Sequence, residues 1–349
     1  MNAQQAPKVT KETKNKIRVD FERTPLLQRI KAKYLSLNFL TNVVWAVFRF
    51  VLLIGIAYVI LYPFFSKISG SFMSMDDFVD VTVKLIPKYP TLDTYAQIIT
   101  KNGYFSALFN TLILSVLCGL VQTFICCIIG YGLAKFKFKG SKLIFALVIL
   151  TMVVPHKTLQ LSMFMHFKYF DILGIFNFLG GGVFEGFKIL NFSSINLLNS
   201  YWPLALLSLG GLAFKNGLYI FMMRQFFRGV PDELEESAYI DGSGVFRTFI
   251  QIILPLSIPM MITIFLFSFS WQWTDNFYST VFFTGTGIKL LPSIVKIPKG
   301  LDTVYAGQQL YESAIRNTCG LLIIAPLVVV YLFCQRYLIQ GIERSGIVG

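Results

Sequence analysis

Long apolar runs separated by short polar segments dominate this chain of 349 residues. Six of the runs are long enough to cross a bilayer, which takes about 20 predominantly apolar residues per helix. They cover about residues 45–65, 106–133, 143–165, 202–227, 252–283 and 319–339. The pattern therefore predicts an all-α membrane protein whose six transmembrane helices lie within residues 41–340.

Basic residues set the predicted orientation of these helices. Residues 1–40 contain nine Lys and Arg against three acidic residues, and four lysines follow the second run between residues 135 and 142. Because positively charged segments next to membrane spans stay in the cytoplasm, both segments belong on that side. Six spans then place the 341–349 tail in the cytoplasm as well, and the third span runs outward through a break at Pro155 and His156.

The composition agrees with a membrane protein. Charged residues make up 14% of the chain, against roughly 25% in soluble domains. The formal net charge of +13 sits beside the apolar runs, so topology explains it better than nucleic-acid binding does. A stretch near residues 26–40 is expected to lie on anionic membrane lipid. The first run follows a long polar N-terminus and is expected to stay as an uncleaved anchor.

Groups suited to catalysis or metal binding are few. The chain has two histidines, His156 and His166, and its five cysteines all lie in apolar stretches without metal-ligand spacing. It has no phosphate-binding glycine loop ending in Gly-Lys-Ser or Gly-Lys-Thr. We therefore expect a chain that is not itself an enzyme and that holds no metal or cofactor of its own.

The polar segment 228–259 has a pattern of its own. Pro231 and the acids after it suit the first turn of a helix, where negative charge complements the helix dipole. Asp241 and Gly242 form a stop and turn signal, and apolar residues then recur at helical spacing from Val245 to Ile253. The segment predicts a helix, a glycine turn and a second helix that project rigidly into the cytoplasm. Such a hairpin suits the transfer of force from a soluble motor to transmembrane helices.

The spacing within this segment resembles the EAA loop of binding-protein-dependent ABC importer permeases. Glu236-Ser237-Ala238 is followed after three residues by Gly242, and nine further residues lead to Ile252-x-Leu254-Pro255, with Ser237 in place of the usual second alanine. The resemblance implies that a groove on a separate ATPase receives the hairpin. It assigns ATPase coupling to seven residues: Glu236, Ser237, Ala238, Asp241, Gly242, Leu254 and Pro255.

Shorter motifs extend the resemblance over nearly the whole chain after residue 45 and favour the MalG-like carbohydrate branch of these permeases. They are Ser69–Ser71, Asn110-Thr111, Tyr131–Lys135, Met152–Pro155, Arg224–Phe227, Trp273–Phe277 and Gln335–Tyr337. The long N-terminal extension and the terminal Gly346–Gly349 depart from the family pattern, so no function of the tail is carried over.

The resemblance implies the type I ABC importer permease fold and half of a translocation pathway for a sugar, an oligosaccharide or a polysaccharide fragment. It also implies the partners, which are a second, different permease, two ATP-binding subunits that hold ATP and Mg²⁺, and an extracytoplasmic solute-binding protein. The complex would lie in the bacterial inner membrane as a multi-pass assembly, with ATP hydrolysed by the partner subunits.

Candidate substrate contacts fall near the end of the fifth run. Asp275 lies near Trp271 and Trp273, and Asn276 follows it. An ionisable residue within a span is a functional-site hypothesis by default, and aromatic rings can stack on sugar faces while an acid bonds the hydroxyls. An equally weighted alternative is an aromatic belt at the outer interface with an acid at a helix end.

Three other functions stay open at this point. They are ABC import of a non-sugar solute, secondary transport driven by an ion gradient, and a membrane enzyme acting on lipid-linked sugars. A secondary carrier more often shows paired repeats and charges within several spans. An enzyme would need clustered His, Asp or Glu in the external loops, which are poor in these residues.

Overall fold

The computed structural model describes residues 9–10, 18–19, 37–172, 174–179, 194–285, 287–298 and 307–346. The predicted lipid-facing stretch up to residue 36 and the last three residues of the tail lie outside the described residues. The chain divides into two units, Met1–Ser66 and Lys67–Gly349, and each is described by itself.

The first unit contains a short strand pair and most of one long helix. Strands β1 (Val9–Thr10) and β2 (Arg18–Val19) pair in antiparallel fashion. Helix α1 (Leu37–Ser71) begins in this unit and contains the first predicted span. Its side chains from residue 41 to residue 65 are all exposed, and most are apolar. Lipid tails solvate such side chains, so this surface suits a bilayer.

Helices and loops make up the described part of the second unit. The helices are α2 (Asp93–Lys101), α3 (Tyr104–Lys135), α4 (Ser141–Val153), α5 (Gln160–Lys168), α6 (Ile175–Leu179), α7 (Trp202–Leu209), α8 (Asn216–Arg228), α9 (Glu233–Ile240), α10 (Val245–Thr248), α11 (Leu254–Trp273), α12 (Phe277–Phe282) and α13 (Gln308–Gly346). Three short 3₁₀ turns lie at Asp76–Phe78, His156–Leu159 and Leu291–Ile294.

Within the described residues, four helical segments are long and apolar enough to cross a membrane. They are Thr41–Ser71, Tyr104–Lys135, Val245–Trp273 and Gln308–Tyr337. A fifth candidate is the pair Ser141–Val153 and His156–Lys168, which is bent by 92°. The bend lies at the break predicted around Pro155, because proline removes a backbone donor and keeps the preceding residue extended.

The fourth and fifth apolar runs are not single helices. In the fourth run, α7 and α8 are separated by a loop in which Gly211 and Lys215 adopt left-handed conformations, with φ of 68° and 67°. In the fifth run, α11 ends at Trp273 and α12 is a separate helix. A left-handed residue interrupts an α-helix, and apolar content alone does not reveal it. The count of six spans therefore stays a prediction.

Helix α3 packs against both α8 and α11. A Cβ atom at Gly130 of α3 would lie 2.5 Å from the Cβ atom of Met223 on α8, so the close approach requires glycine. Small residues allow helices to pack closely in a membrane, where the hydrophobic effect does not drive them together. Tyr131, Phe227 and Ile253 are buried around this crossing. The three helices thus form one packed cluster at the base of the 228–259 segment.

Candidate functional site

The 228–259 segment, called the hairpin below, has the predicted helix, turn and second helix. Helix α9 begins at Glu233, so Pro231 precedes it instead of lying in its first turn. Helix α10 leads through a π-helical turn, Phe249–Ile253, into α11. The hairpin is therefore continuous with a helix that is long and apolar enough to cross a membrane.

Gly242 makes the turn that separates α9 from α10. Its φ is +81°, in the left-handed region that glycine occupies without steric cost. The amide of Ser243 donates to the carbonyl of Ala238 at 2.9 Å, and that of Gly242 donates to the carbonyl of Tyr239 at 3.1 Å. These two bonds define a Schellman motif, which satisfies the last carbonyls of α9. A Cβ atom added at Gly242 would meet no atom within 4 Å, so the requirement is conformational.

The seven predicted coupling residues differ in exposure. Four form exposed surface: Glu236, Ser237, Asp241 and Gly242. Ala238 is buried, Leu254 packs against the core cluster below, and Pro255 is exposed in the first turn of α11. Two large apolar side chains also stand out near the turn, Ile240 (86% exposed) and Phe246 (76% exposed). Both side chains are available to contact a partner at this end of the hairpin.

A buried charge network ties the hairpin to α3. Glu235 on α9 accepts a hydrogen bond from the Tyr131 hydroxyl at 2.5 Å, and its other oxygen lies 3.4 Å from Nζ of Lys135. Lys135 also donates to Oδ1 of Asp232 at 2.5 Å and to the carbonyl of Val230 at 2.7 Å. Only 8% of the side-chain surface of Lys135 and of Glu235 is exposed. We call these groups the Lys135 network.

The Lys135 network lowers the pKa of its most exposed carboxyl group, that of Asp232. The hydrogen bond from the Lys135 ammonium holds the pKa of the Asp232 carboxyl below its ordinary value, because the bond favours the charged form. Asp232 therefore stays ionised at neutral pH and completes the set of acceptors around Lys135.

Glu235 is not among the predicted coupling residues, although two signals in the sequence point to it. Tyr131 and Lys135 are four residues apart, so they share one face of α3 and place a hydroxyl beside a cation. A buried cation needs an acidic partner. Glu235 and Ala238 are three residues apart and form the inner face of α9, whereas Glu236 points outward. The EAA resemblance drew attention to the outward acid.

A second candidate site surrounds the loop between α7 and α8. A cavity of about 130 Å³ is lined there by Thr151, His156, Phe214 and Lys215, among others. The ammonium of Lys215 lies 4.9 Å from the ring centroid of Phe214 and 5.1 Å from that of Trp271. The two rings themselves are 5.4 Å apart. We call this the Lys215 cavity.

Lys215 lies in the loop between α7 and α8 with a left-handed backbone, which costs about 1 kcal/mol for a residue with a Cβ atom. Its ammonium lies near two aromatic rings, and a cation near an aromatic face contributes about 0.5–2 kcal/mol. A lysine where glycine would fit the backbone without strain points to a role for its side chain.

Trp271 and Asp275 lie near each other at one side of the Lys215 cavity. Both line a narrow space together with Gln122, Ser268 and Gln272. The carboxylate of Asp275 accepts backbone N–H bonds at the start of α12, the shortest of them 2.9 Å long from Tyr278. These are the contacts of an acid at a helix end, the alternative considered from the sequence, and they occupy acceptor capacity that sugar hydroxyls would otherwise use.

Trp273 and Asn276 are not brought together with Trp271. The side chain of Trp273 is 2% exposed, and its indole N–H donates to the carbonyl of Ile323 at 2.9 Å, so it belongs to the packed core. Asn276 lines a separate, larger cavity of about 950 Å³ that also contains Lys289 and Lys296. The four predicted pathway residues therefore occupy three different environments, and their role in substrate binding stays a prediction.

Metal ligands are not clustered in the part of the chain that the structure describes. There, no group of three or more His, Cys, Asp or Glu side chains could hold a metal ion. All five cysteines are free thiols. That the chain holds no cofactor of its own remains a prediction.

Comparison with known proteins gives one family and several relatives. The family described as "Binding-protein-dependent transport system inner membrane component" matches residues 126–344. The chain is 29% identical over 259 residues to the alpha-glucoside transport system permease protein AglG of Rhizobium meliloti, which covers 74% of this chain and 60% of that protein. It is 26% identical over 306 residues to the polygalacturonan/rhamnogalacturonan transport system permease protein YtcP of Bacillus subtilis, which covers 85% and 96%.

A solved structure has a similar fold. It belongs to a bacterial ABC transporter involved in the import of the acidic polysaccharide alginate, and it matches with a TM-score of 0.61. The sequences are 19% identical, and the match covers 85% of this chain and 97% of that chain. At this identity the likeness concerns the fold alone.

Proposed function

The chain belongs to the binding-protein-dependent transport system inner membrane component family, and we propose that it forms half of an ABC importer pathway for an oligosaccharide or a polysaccharide fragment. The observation that carries this proposal is the hairpin. It exposes the turn around Gly242 to a partner while Glu235 ties it to α3 through a buried ion pair.

The hairpin is built to transmit a displacement rather than absorb it. Helix α9 is tied to the end of α3 by Lys135, and the hairpin continues into α11 without an intervening loop. At Gly130, α3 in turn packs in close contact with α8. Movement of the hairpin by an ATPase would therefore be passed to α3, α8 and α11.

A saccharide suits the side chains around the Lys215 cavity. Trp271 and Phe214 present aromatic faces of the kind that stack on pyranose rings, and Lys215 and Gln272 supply hydrogen-bonding groups. The relatives AglG and YtcP carry sugar transport in their names. Substrate import is therefore the proposed use of this region.

The proposed transporter contains partner subunits that supply the functions this chain lacks. A second, different permease completes the pathway, two ATP-binding subunits bind ATP and Mg²⁺ and hydrolyse it, and a solute-binding protein delivers the sugar from outside. The chain crosses the bacterial inner membrane six times, with residues 1–40, the hairpin and the 341–349 tail in the cytoplasm. The distribution of basic residues supports this orientation.

Purification of the tagged chain from its native membrane tests the assembly. We expect the second permease and the ATPase to copurify, and the reconstituted complex to take up oligosaccharide only with ATP and the binding protein present. Uptake by this chain alone, driven by an ion gradient, would contradict the proposal.

Labelling of single cysteines from outside intact cells tests the orientation. A cysteine at Asp93 should react with an impermeant reagent, whereas one at Ser243 should react only after the membrane is opened. Both positions are at least partly exposed, so a difference reports sidedness rather than burial. Reaction at Ser243 in intact cells would overturn the topology.

A further inference from the structure

Lys215 is an unusual residue for its backbone position. Among the described residues, only Asn199 and Lys215 have positive φ without being glycine. Asparagine tolerates this conformation, whereas lysine has no local hydrogen bond to favour it. A lysine held in such a conformation points to a role for its side chain, since glycine or asparagine would satisfy the backbone better.

The side chain of Lys215 lies where a ligand could reach it. The residue is half-buried, lines the Lys215 cavity, and holds its ammonium beside the rings of Phe214 and Trp271. Within the described residues, no carboxylate lies within 4 Å of this ammonium. Among the residues that the structure describes, the cation therefore has aromatic neighbours and no anionic partner.

The other charged groups nearby do not change this sign. His156 lines the same cavity and packs against Phe214, with the ring centroids 4.8 Å apart. An imidazole is neutral or cationic, so it adds no negative charge. Asp275 lines the adjoining narrow space, and its carboxylate is held by backbone amides of α12. The cavity is consequently suited to an anion beside an aromatic face.

We propose that Lys215 selects the substrate by charge and that the imported saccharide is acidic, with a sugar carboxylate placed against the Lys215 ammonium and a pyranose face against Trp271. This inference rests on the proposed function and narrows it to uronate-containing oligosaccharides. The relatives do not decide the point, since AglG is named for alpha-glucosides and YtcP for polygalacturonan and rhamnogalacturonan.

Uptake of a matched pair of probes tests this selection in the complete reconstituted transporter. The probes are trigalacturonate and galactotriose, which differ in having a carboxylate or a hydroxymethyl group on each ring. Wild type should prefer the acidic trisaccharide. Lys215→Asn keeps a residue that tolerates positive φ but removes the cation, and should lower acidic uptake about tenfold with little change for the neutral probe. Lys215→Arg should retain the preference.

Control variants and lipids separate this role from others. Lys84→Asn removes an exposed lysine outside both sites and should change neither uptake. The assay is repeated in vesicles with and without anionic lipid, because a lysine that only anchors to lipid phosphate would affect both probes and depend on lipid charge. Three results would overturn the inference while leaving sugar import standing. They are a lipid-dependent effect on both probes, an equal loss of both probes in Lys215→Asn, and a wild-type preference for galactotriose. Uptake of neither trisaccharide, together with failure of the ATP-dependent and binding-protein-dependent uptake of oligosaccharide described above, would contradict the proposed function itself.

Discussion

Lys135 and Lys215 are two lysines within apolar surroundings, and they differ in the groups that surround their ammonium. Lys135 has two carboxylates and a backbone carbonyl as acceptors. Lys215 has two aromatic rings and, among the described residues, no carboxylate within 4 Å. A cation with all its partners inside the fold holds the fold together, whereas one without them is available to a ligand.

The difference separates coupling from recognition. The Lys135 network joins α9 to α3 and gives the hairpin a rigid base, so its loss should mainly lower the free energy of unfolding. The Lys215 cavity contains groups that the fold does not need, so substitutions there should mainly lower sugar uptake. Variants that report stability and uptake separately can therefore test the assignment.

The largest effect is expected for Glu235→Ala. The change removes the acceptor of the Tyr131 hydroxyl and leaves the buried Lys135 ammonium with the more exposed Asp232. Breaking a buried ion pair in this way should cost about 3 kcal/mol in free energy of unfolding. Thermal unfolding of the purified complex measures it, with Glu236→Ala as a matched control expected to change stability by less than about 0.5 kcal/mol. Equal losses for the two variants would contradict the buried position of Glu235.

A comparable contrast is expected between two tryptophans two residues apart. Trp273→Ala removes a core side chain and a hydrogen bond to Ile323, and should lower stability by about 3 kcal/mol. Trp271→Ala changes a side chain that is 47% exposed beside Lys215 and should cost less than about 1 kcal/mol while reducing sugar uptake. Stability and uptake of both variants are measured on the same preparation, and the reverse order would refute the distinction between core and cavity.

A smaller effect on stability is expected at the hairpin turn. Gly242→Ala places a side chain on a backbone with φ of +81° and should cost about 1 kcal/mol. Gly244→Ala is the matched control, because Gly244 has φ of −76° and equally open space around it. Gly242→Trp should in addition obstruct docking, so that the complex assembles poorly or hydrolyses ATP without uptake. Wild-type ATPase activity and uptake in Gly242→Trp would remove the hairpin as the coupling element.

The smallest effect on the isolated fold is expected for Glu236→Lys. The side chain is exposed, so the free energy of unfolding should change by less than about 0.5 kcal/mol. Reversal of charge should nevertheless weaken docking to basic residues on the ATPase, measured as ATPase retained on the purified complex at increasing salt. An acidic substitution in the ATPase groove should restore part of the binding. Unchanged retention would show that Glu236 faces no cation on the partner.

The sequence alone determined the features that depend on neighbours along the chain. Pro155 marked the bend between α4 and α5, Gly242 marked the left-handed turn, and the spacing of residue types around Glu236 indicated the family. Each of these is a local property, because backbone dihedral preference, capping and helical spacing act over a few residues.

Only the tertiary structure decided which of several chemically similar residues has which environment. Glu235 and Glu236 are alike in the sequence, yet Glu235 alone reaches Tyr131, which lies 104 residues away along the chain. The same holds for Trp271 and Trp273, and for Lys215, which has no carboxylate within 4 Å in the described part of the chain. Such pairings depend on how α3, α8, α9 and α11 pack against one another. The helical periodicity of one segment shows which of its own residues share a face, but not which face of a second helix will contact them.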